Sequence, residues 1–161
     1  DSTVTNDTTY FYTVPASDST EQESDKSAEI SATPAEPVGY EKWVVDHGIT
    51  GAPGDDDDSD GVNNLYEYAL GGDPTDAASK GTLPVFSKSG SGFIYVHPEL
   101  SDEESYITYT VETTTNLISG LWTTDHVTFV GTRPGDPLRF VTNSVNIDAT
   151  GRYIRLKVEE K

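Results

Sequence analysis

Asp56, Asp58 and Asp60 set three carboxylates on alternate residues, and Gly61 follows at once. Val62, Asn64 and Glu67 continue the series. Counting from Asp56, oxygen-bearing groups fall at positions 1, 3, 5, 7, 9 and 12, with glycine at position 6. Alternation lets the three carboxylates converge on one side of the chain. Gly61 permits the positive-φ turn that redirects the backbone. Val62 would offer its carbonyl oxygen, and Asn64 sits where a ligand often acts through water. Glu67 would close the sphere with both oxygens. Hard oxygen donors in this number suit calcium, which takes six to eight of them at about 2.3–2.6 Å. Magnesium wants fewer protein ligands and keeps its waters. The expected cofactor is therefore Ca2+, held by Asp56, Asp58, Asp60, Val62, Asn64 and Glu67.

The spacing is that of an EF-hand-like loop. An acidic run alone is more often a solvated surface. Here the glycine and the glutamate fall in register with the aspartates. Asp55 and Asp57 are off register and are expected only to deepen the negative field. Two helices must position such a loop. Tyr40-Glu41-Lys42-Trp43-Val44-Val45-Asp46-His47 has amphipathic spacing and is stopped by Gly48. Residues 63–70 predict a second helix, with Leu65, Tyr66, Ala69 and Leu70 at helical spacing and Gly71-Gly72 at its end. Asp73-Pro74 predicts an N-cap and first residue of a further helix. A role as an additional metal ligand is the alternative for Asp73.

Composition narrows the partners. Twenty-eight acidic side chains against 10 basic ones leave a net charge of −18. Such a surface repels nucleic acid and anionic membranes. There is no cysteine, so no disulfide framework, thiolate chemistry or cysteine–zinc site can form. A metal can take over the cross-linking that disulfides would otherwise provide. No apolar run is long enough to span a membrane. The chain starts at Asp1 and shows no signal peptide, so it is read as a processed or excised piece. The expected location is extracellular.

Three regions separate by pattern. In residues 1–38, the run Thr8-Thr9-Tyr10-Phe11-Tyr12-Thr13-Val14 and a shorter one around Ile30 predict a hairpin joined by a polar loop. A hairpin alone is marginal in water. Residues 39–80 hold the helix–loop–helix unit. Residues 81–161 predict short strands between turn signals: Phe93 to Val96, Tyr106 to Glu112, Val127 to Val130, Leu138 to Val141 and Tyr153 to Val158. Ile107, Tyr109, Val111, Ile154, Leu156 and Val158 should face inward, with Arg155 and Lys157 outward. The predicted fold is mainly β: an antiparallel β-sandwich preceded by a small helix–calcium loop–helix unit and an N-terminal β-hairpin.

Two segments resemble known families. Thr9-Tyr10-Phe11-Tyr12-Thr13-Val14 with Ser27-Ala28-Glu29-Ile30-Ser31-Ala32-Thr33-Pro34 resembles the last two strands of a fibronectin type III domain, although the earlier strands are absent. That likeness implies completion by upstream domains of the same protein. The run from Trp43 to Leu70, with Asn64-Leu65-Tyr66-Glu67-Tyr68-Ala69-Leu70-Gly71-Gly72-Asp73-Pro74, is similar to a module near the C-terminus of large secreted planctomycete and verrucomicrobial proteins. Tyr109-Thr110-Val111-Glu112, Asn116-Leu117 to Trp122 and Tyr153-Ile154-Arg155-Leu156 are similar to the β-domain that follows it there. Many of those proteins degrade polysaccharides. The resemblance implies a secreted, calcium-binding, non-catalytic accessory tail.

No catalytic constellation is legible. His47, His97 and His126 lie in different elements without metal-ligand spacing. His47 suits a helix C-terminus, and His97 and His126 are expected in surface or loop positions. Neither a Gly-x-Ser-x-Gly elbow nor a Gly-rich phosphate loop occurs. Glu99, Glu103 and Glu104 could suggest a glycosidase pair, but they are expected on one polar loop with nothing opposite. Polysaccharide binding is the better expectation. Tyr95, Tyr106 and Trp122 offer faces on which sugar rings can stack, with Arg155 and Lys157 available to an anionic glycan. Tyr109 and Trp122 also suit core or edge-covering positions, and Trp43 should pack against the calcium unit or the sandwich. The expected function is an accessory module of a secreted polysaccharide-degrading enzyme. The alternatives are a calcium-rigidified spacer or anchor, or the C-terminal fragment of a nicked glycoside hydrolase or lyase with its active site upstream.

Overall fold

The computed structural model describes residues 4–101, 106–118, 120–147 and 151–161. The chain divides into two compact units, Asp1–Pro37 and Val38–Lys161. The first is built on a hairpin of β1 (Tyr10–Tyr12) and β2 (Ile30–Ala32), paired antiparallel with Tyr10 opposite Ala32. Asp18 organises the polar loop between them. Its Oδ1 accepts from the backbone N–H and hydroxyl of Thr20 and from the N–H of Gln22. These bonds hold the Asp18 carboxyl below its ordinary pKa. Phe11, Val14 and Ile30 stay exposed, so little apolar area is buried in this hairpin.

The second unit holds α1 (Gly39–His47), α2 (Asn64–Leu70) and six strands. These are β3 (Val85–Ser89), β4 (Gly92–Leu100), β5 (Ile107–Thr114), β6 (Val127–Arg133), β7 (Leu138–Asn146) and β8 (Tyr153–Glu160). One antiparallel sheet has the order β3-β4-β7-β6. A two-stranded antiparallel sheet pairs β5 with β8, Val111 opposite Leu156. The sheets meet over one core, as expected for a sandwich. Tyr95 and Val145 come from the first sheet and Ile107, Val111, Leu156 and Val158 from the second. Ala69 and Leu70 of α2 enter the same core.

Helix α2 is tied down by more than apolar contact. The Tyr66 hydroxyl donates to the Leu156 carbonyl at 2.8 Å. The Tyr109 hydroxyl donates to the Ala69 carbonyl at 2.8 Å. Burial pushes the Tyr109 phenol up, out of its usual range. Helix α1 lies beside α2 through aromatic contacts: Trp43 to Tyr68 at 5.6 Å and Tyr40 to Tyr68 at 5.7 Å between ring centroids. Trp43 thus packs against α2 of the helix–loop–helix unit, one of the two places the sequence predicts for it. Both helices end on glycine in the left-handed region, Gly48 and Gly71.

Several elements depart from the sequence prediction. Strand β4 runs well past Val96 to Leu100. Proline at position 98 argues against a central strand. However, β3 stops opposite Val96, so at Pro98 the strand has a neighbour on one side only. An N–H missing on the open side breaks no ladder bond. Strand β3 itself has five exposed residues and no buried face, so alternation could not reveal it. His97, expected at the surface, is 2% exposed within β4. Its burial holds the imidazole below its ordinary pKa and so favours the neutral form. Glu99 lies on β4 rather than in a loop, with its carboxylate 2.7 Å from Arg139. Glu103 and Glu104 fall outside the described residues. No helix forms at Asp73-Pro74. Asp73 Oδ1 accepts from the Thr75 N–H and hydroxyl, and a second such turn at Asp76 bends the chain back, with the Asp73 N–H on the Ser79 carbonyl.

Candidate metal centre

The loop between the helices is closed at its neck by two backbone bonds. The Asn64 N–H donates to the Asp55 carbonyl at 2.8 Å, and the Leu65 N–H to the Pro53 carbonyl at 3.1 Å. Asp55 adds a third tie, its Oδ2 accepting from the Ala52 N–H at 2.7 Å. Asp55 therefore shapes the loop, beyond the field effect expected of it. Inside the neck the carboxylates organise the backbone. Asp56 accepts from the N–H of Asp60 at 3.1 Å and of Gly61 at 2.9 Å. Asp58 accepts from the Asp60 N–H, and Asp60 from the Val62 N–H. Gly61 has φ of 92°, a left-handed value that explains glycine there. The outcome is that one carboxylate oxygen from each of Asp56, Asp58 and Asp60 lies within 4.8 Å of the others. This acidic cluster could bind a metal ion.

Glu67, delivered by the first turn of α2, is not one of that group of three but lies within the field of its charges. It is 0% exposed, and neither Oε1 nor Oε2 has a hydrogen-bond partner. Asp58 Oδ2 and Asp60 Oδ2 are likewise buried without a partner. A buried carboxylate without a partner is strongly unfavourable. Burial first, and then the charges of Asp58, Asp60 and Asp56, push the Glu67 carboxyl up to about 7. Burial also raises Asp58. Three converging aspartates, with the two bare oxygens of Glu67 in their field, offer the oxygen donors that a hard cation takes. No nitrogen or sulfur ligand stands among them.

The remaining predicted ligands are placed differently. Asn64 is buried and its amide is engaged on the loop neck, accepting from the Asp57 N–H and donating to the Ala52 carbonyl, both at 3.3 Å. The structure therefore assigns Asn64 to holding the neck rather than to the carboxylate cluster. Val62 lies two residues past Asp60, after Gly61, and its N–H donates to the Asp60 carboxylate at 2.7 Å. Asp73 lies outside the three-aspartate cluster, and its Oδ1 is engaged by Thr75, which lowers its pKa.

One residue had no signal in the spacing. Lys80, twenty residues beyond Asp60, donates its ammonium to the Asp60 carbonyl and lies 3.6 Å from Asp60 Oδ2. The turns at Asp73 and Asp76 bring it there, and they were not legible as a return of the chain.

The expected glycan platforms fare unevenly. Tyr95 is not a surface platform: at 7% exposure it belongs to the core, where β4 turns it toward β5, β8 and α2. Trp122 is half-buried, and the Arg155 guanidinium lies 4.2 Å from its ring centroid. Arg155 also pairs with Glu112 at 2.7 Å, and Lys157 with Glu159 at 2.7 Å, so both cations are engaged within the protein. Tyr106 stays 44% exposed.

The raised Glu67 pKa has a consequence for stability. The folded, metal-free protein holds that proton more tightly than the unfolded chain does. Its contribution is present below about pH 4.5 and is lost as pH rises to about 7. The metal-free protein should lose up to about 3 kcal/mol across that window. Denaturant unfolding in chelator at successive pH values checks it, and flat stability from pH 4.5 to 7.5 would contradict the burial of a bare Glu67.

Comparison with known proteins gives no matching family model, no matching curated protein and no matching solved structure.

Proposed function

We propose that this chain is a calcium-stabilised, non-catalytic accessory part of a secreted, polysaccharide-degrading protein, and that its second unit acts as a metal-clamped structural module. The observation that carries the metal role is Glu67, fully buried with both oxygens bare in the field of Asp58, Asp60 and Asp56, which converge on one another. Calcium is the ion proposed, because every available donor is a hard oxygen and the glutamate offers two of them. Asp56, Asp58, Asp60 and Glu67 supply the carboxylates, and the Val62 carbonyl completes the protein's share. The ion offsets the mutual repulsion of these groups and ties the loop to α2. Because α2 contributes Ala69 and Leu70 to the sandwich core, the clamp reaches the whole unit.

A spacer or anchor role is favoured over glycan binding by two observations. Tyr95 lies in the core, and Arg155 already covers Trp122. Tyr106 remains as an exposed aromatic for a sugar. Secretion and attachment to a polysaccharide-degrading enzyme rest on the resemblance of the calcium unit and the β-domain after it to bacterial accessory tails. Native gels cast with neutral, acidic and sulfated polysaccharides, each run with calcium and with chelator, separate the two roles. A spacer migrates at one rate on every gel and unfolds earlier in chelator. Calcium-dependent retardation on one glycan would replace it with a binding module.

A further inference from the structure

Lys80 is the only cation that the structure pairs with the aspartate cluster, among the described residues. Its ammonium donates to the Asp60 backbone carbonyl and lies 3.6 Å from Asp60 Oδ2. That oxygen is buried and otherwise bare, and the Asp60 side chain is only 1% exposed. Lys80 reaches it from a separate segment, carried by the turns that follow α2. Its neighbours fix that segment firmly: the Ser79 carbonyl accepts from the Asp73 N–H at 3.0 Å, and the Thr82 N–H donates to the Leu70 carbonyl at 2.8 Å. The lysine is thus held at the loop by the backbone on both sides rather than swept in from solvent.

We infer that Lys80 is a tethered counter-cation that holds the metal loop together when no metal is bound and lowers the loop's affinity for the metal when it is. This rests on the metal-binding role proposed above. A lysine ammonium is a compact positive charge with three donors. Against Asp60 it offsets part of the repulsion among four carboxylates, so the empty loop keeps its shape. A dication arriving at the same carboxylates meets a like charge already in place. The lysine therefore acts in opposite directions on the two states. It stabilises the metal-free protein and weakens the metal complex, which shifts filling of the site to higher calcium concentration.

The experiment measures calcium binding by titration calorimetry and metal-free melting in chelator, for the full chain and for Lys80→Met. The methionine keeps the apolar stem and removes the charge. At low ionic strength the variant should bind calcium about tenfold tighter, the effect of one unit charge a few ångströms away in a well-screened site. Its metal-free melting temperature should fall below that of the unaltered protein. Raising the salt to 1 M shortens the screening length to about 3 Å and should shrink both differences. Lys80→Gln should move both quantities the same way, and it serves if the methionine variant does not fold. A packing role alone would weaken both states together. Equal or weaker calcium affinity in both variants, with the unaltered protein binding normally, would overturn the inference. Absence of binding by the unaltered protein would instead overturn the metal role itself.

Discussion

Glu67→Gln should abolish most of the calcium-dependent rise in melting temperature and, in chelator at pH 8, leave the protein more stable than the unaltered chain. The two effects share one cause. Glu67 is completely buried and its oxygens have no partners; that burial first, and then the neighbouring aspartates, push its carboxyl up to about 7. Above that pH the metal-free protein holds a bare charge, and a neutral amide of the same shape relieves it. The relief should be about 1–3 kcal/mol, in line with a pKa displaced by a few units. The amide also removes one ligand charge and the second carboxylate oxygen. Metal that binds only the folded state stabilises it by about 2.7 kcal/mol at a hundredfold excess over Kd. That increment should largely vanish in Glu67→Gln. Asp56→Ala should lose it too, because the same side chain also holds the Asp60 and Gly61 N–H groups. Melting curves with calcium and with chelator give both numbers. A calcium shift of unchanged size in Glu67→Gln would place the metal elsewhere.

Gly81→Ala should cost about 2–4 kcal/mol, through two separate effects. Gly81 has φ of 74°, where any Cβ is strained. A Cβ there would also lie 2.6 Å from the Leu70 carbonyl oxygen and 2.9 Å from the Gly72 nitrogen. These are backbone atoms at the end of α2, so nothing flexible can yield. Gly48 separates the two effects. It has φ of 65° and nothing within 4 Å of an added Cβ. Gly48→Ala should therefore cost only about 1 kcal/mol. For a protein of this size each kcal/mol lost lowers the melting temperature by about 2–4 °C. Equal losses in the two variants would mean that the 71–81 segment gives way, and that its close approach to the end of α2 is not tight.

Much of the fold was legible because its signals are local. The glycine stops of both helices and the alternation in β5 and β8 act over a few residues. The alternation placed Val111, Leu156 and Val158 inward, where the core holds them. Strand β3 gave no such signal, since it is an edge with no buried face. At Asp73 the side chain takes the Thr75 N–H as an N-cap would, but the helix stops there because Asp76 starts a second turn and takes the Ala78 N–H that a continuing helix would have used.

The site divides in the same way. The sequence alone determined that three aspartates, a glycine and a glutamate share one register, because a metal loop is a twelve-residue affair whose geometry follows from spacing. Only the tertiary structure decided what each group meets. It drew Asn64 to the loop neck, returned Lys80 to Asp60, and sank Tyr95 and His97 between strands. It also buried Glu67 completely without a hydrogen-bond partner. Spacing along a chain fixes which side chains can converge. Burial and charge pairing depend on segments far apart in sequence, and those meet only when the helices and sheets close over a common core.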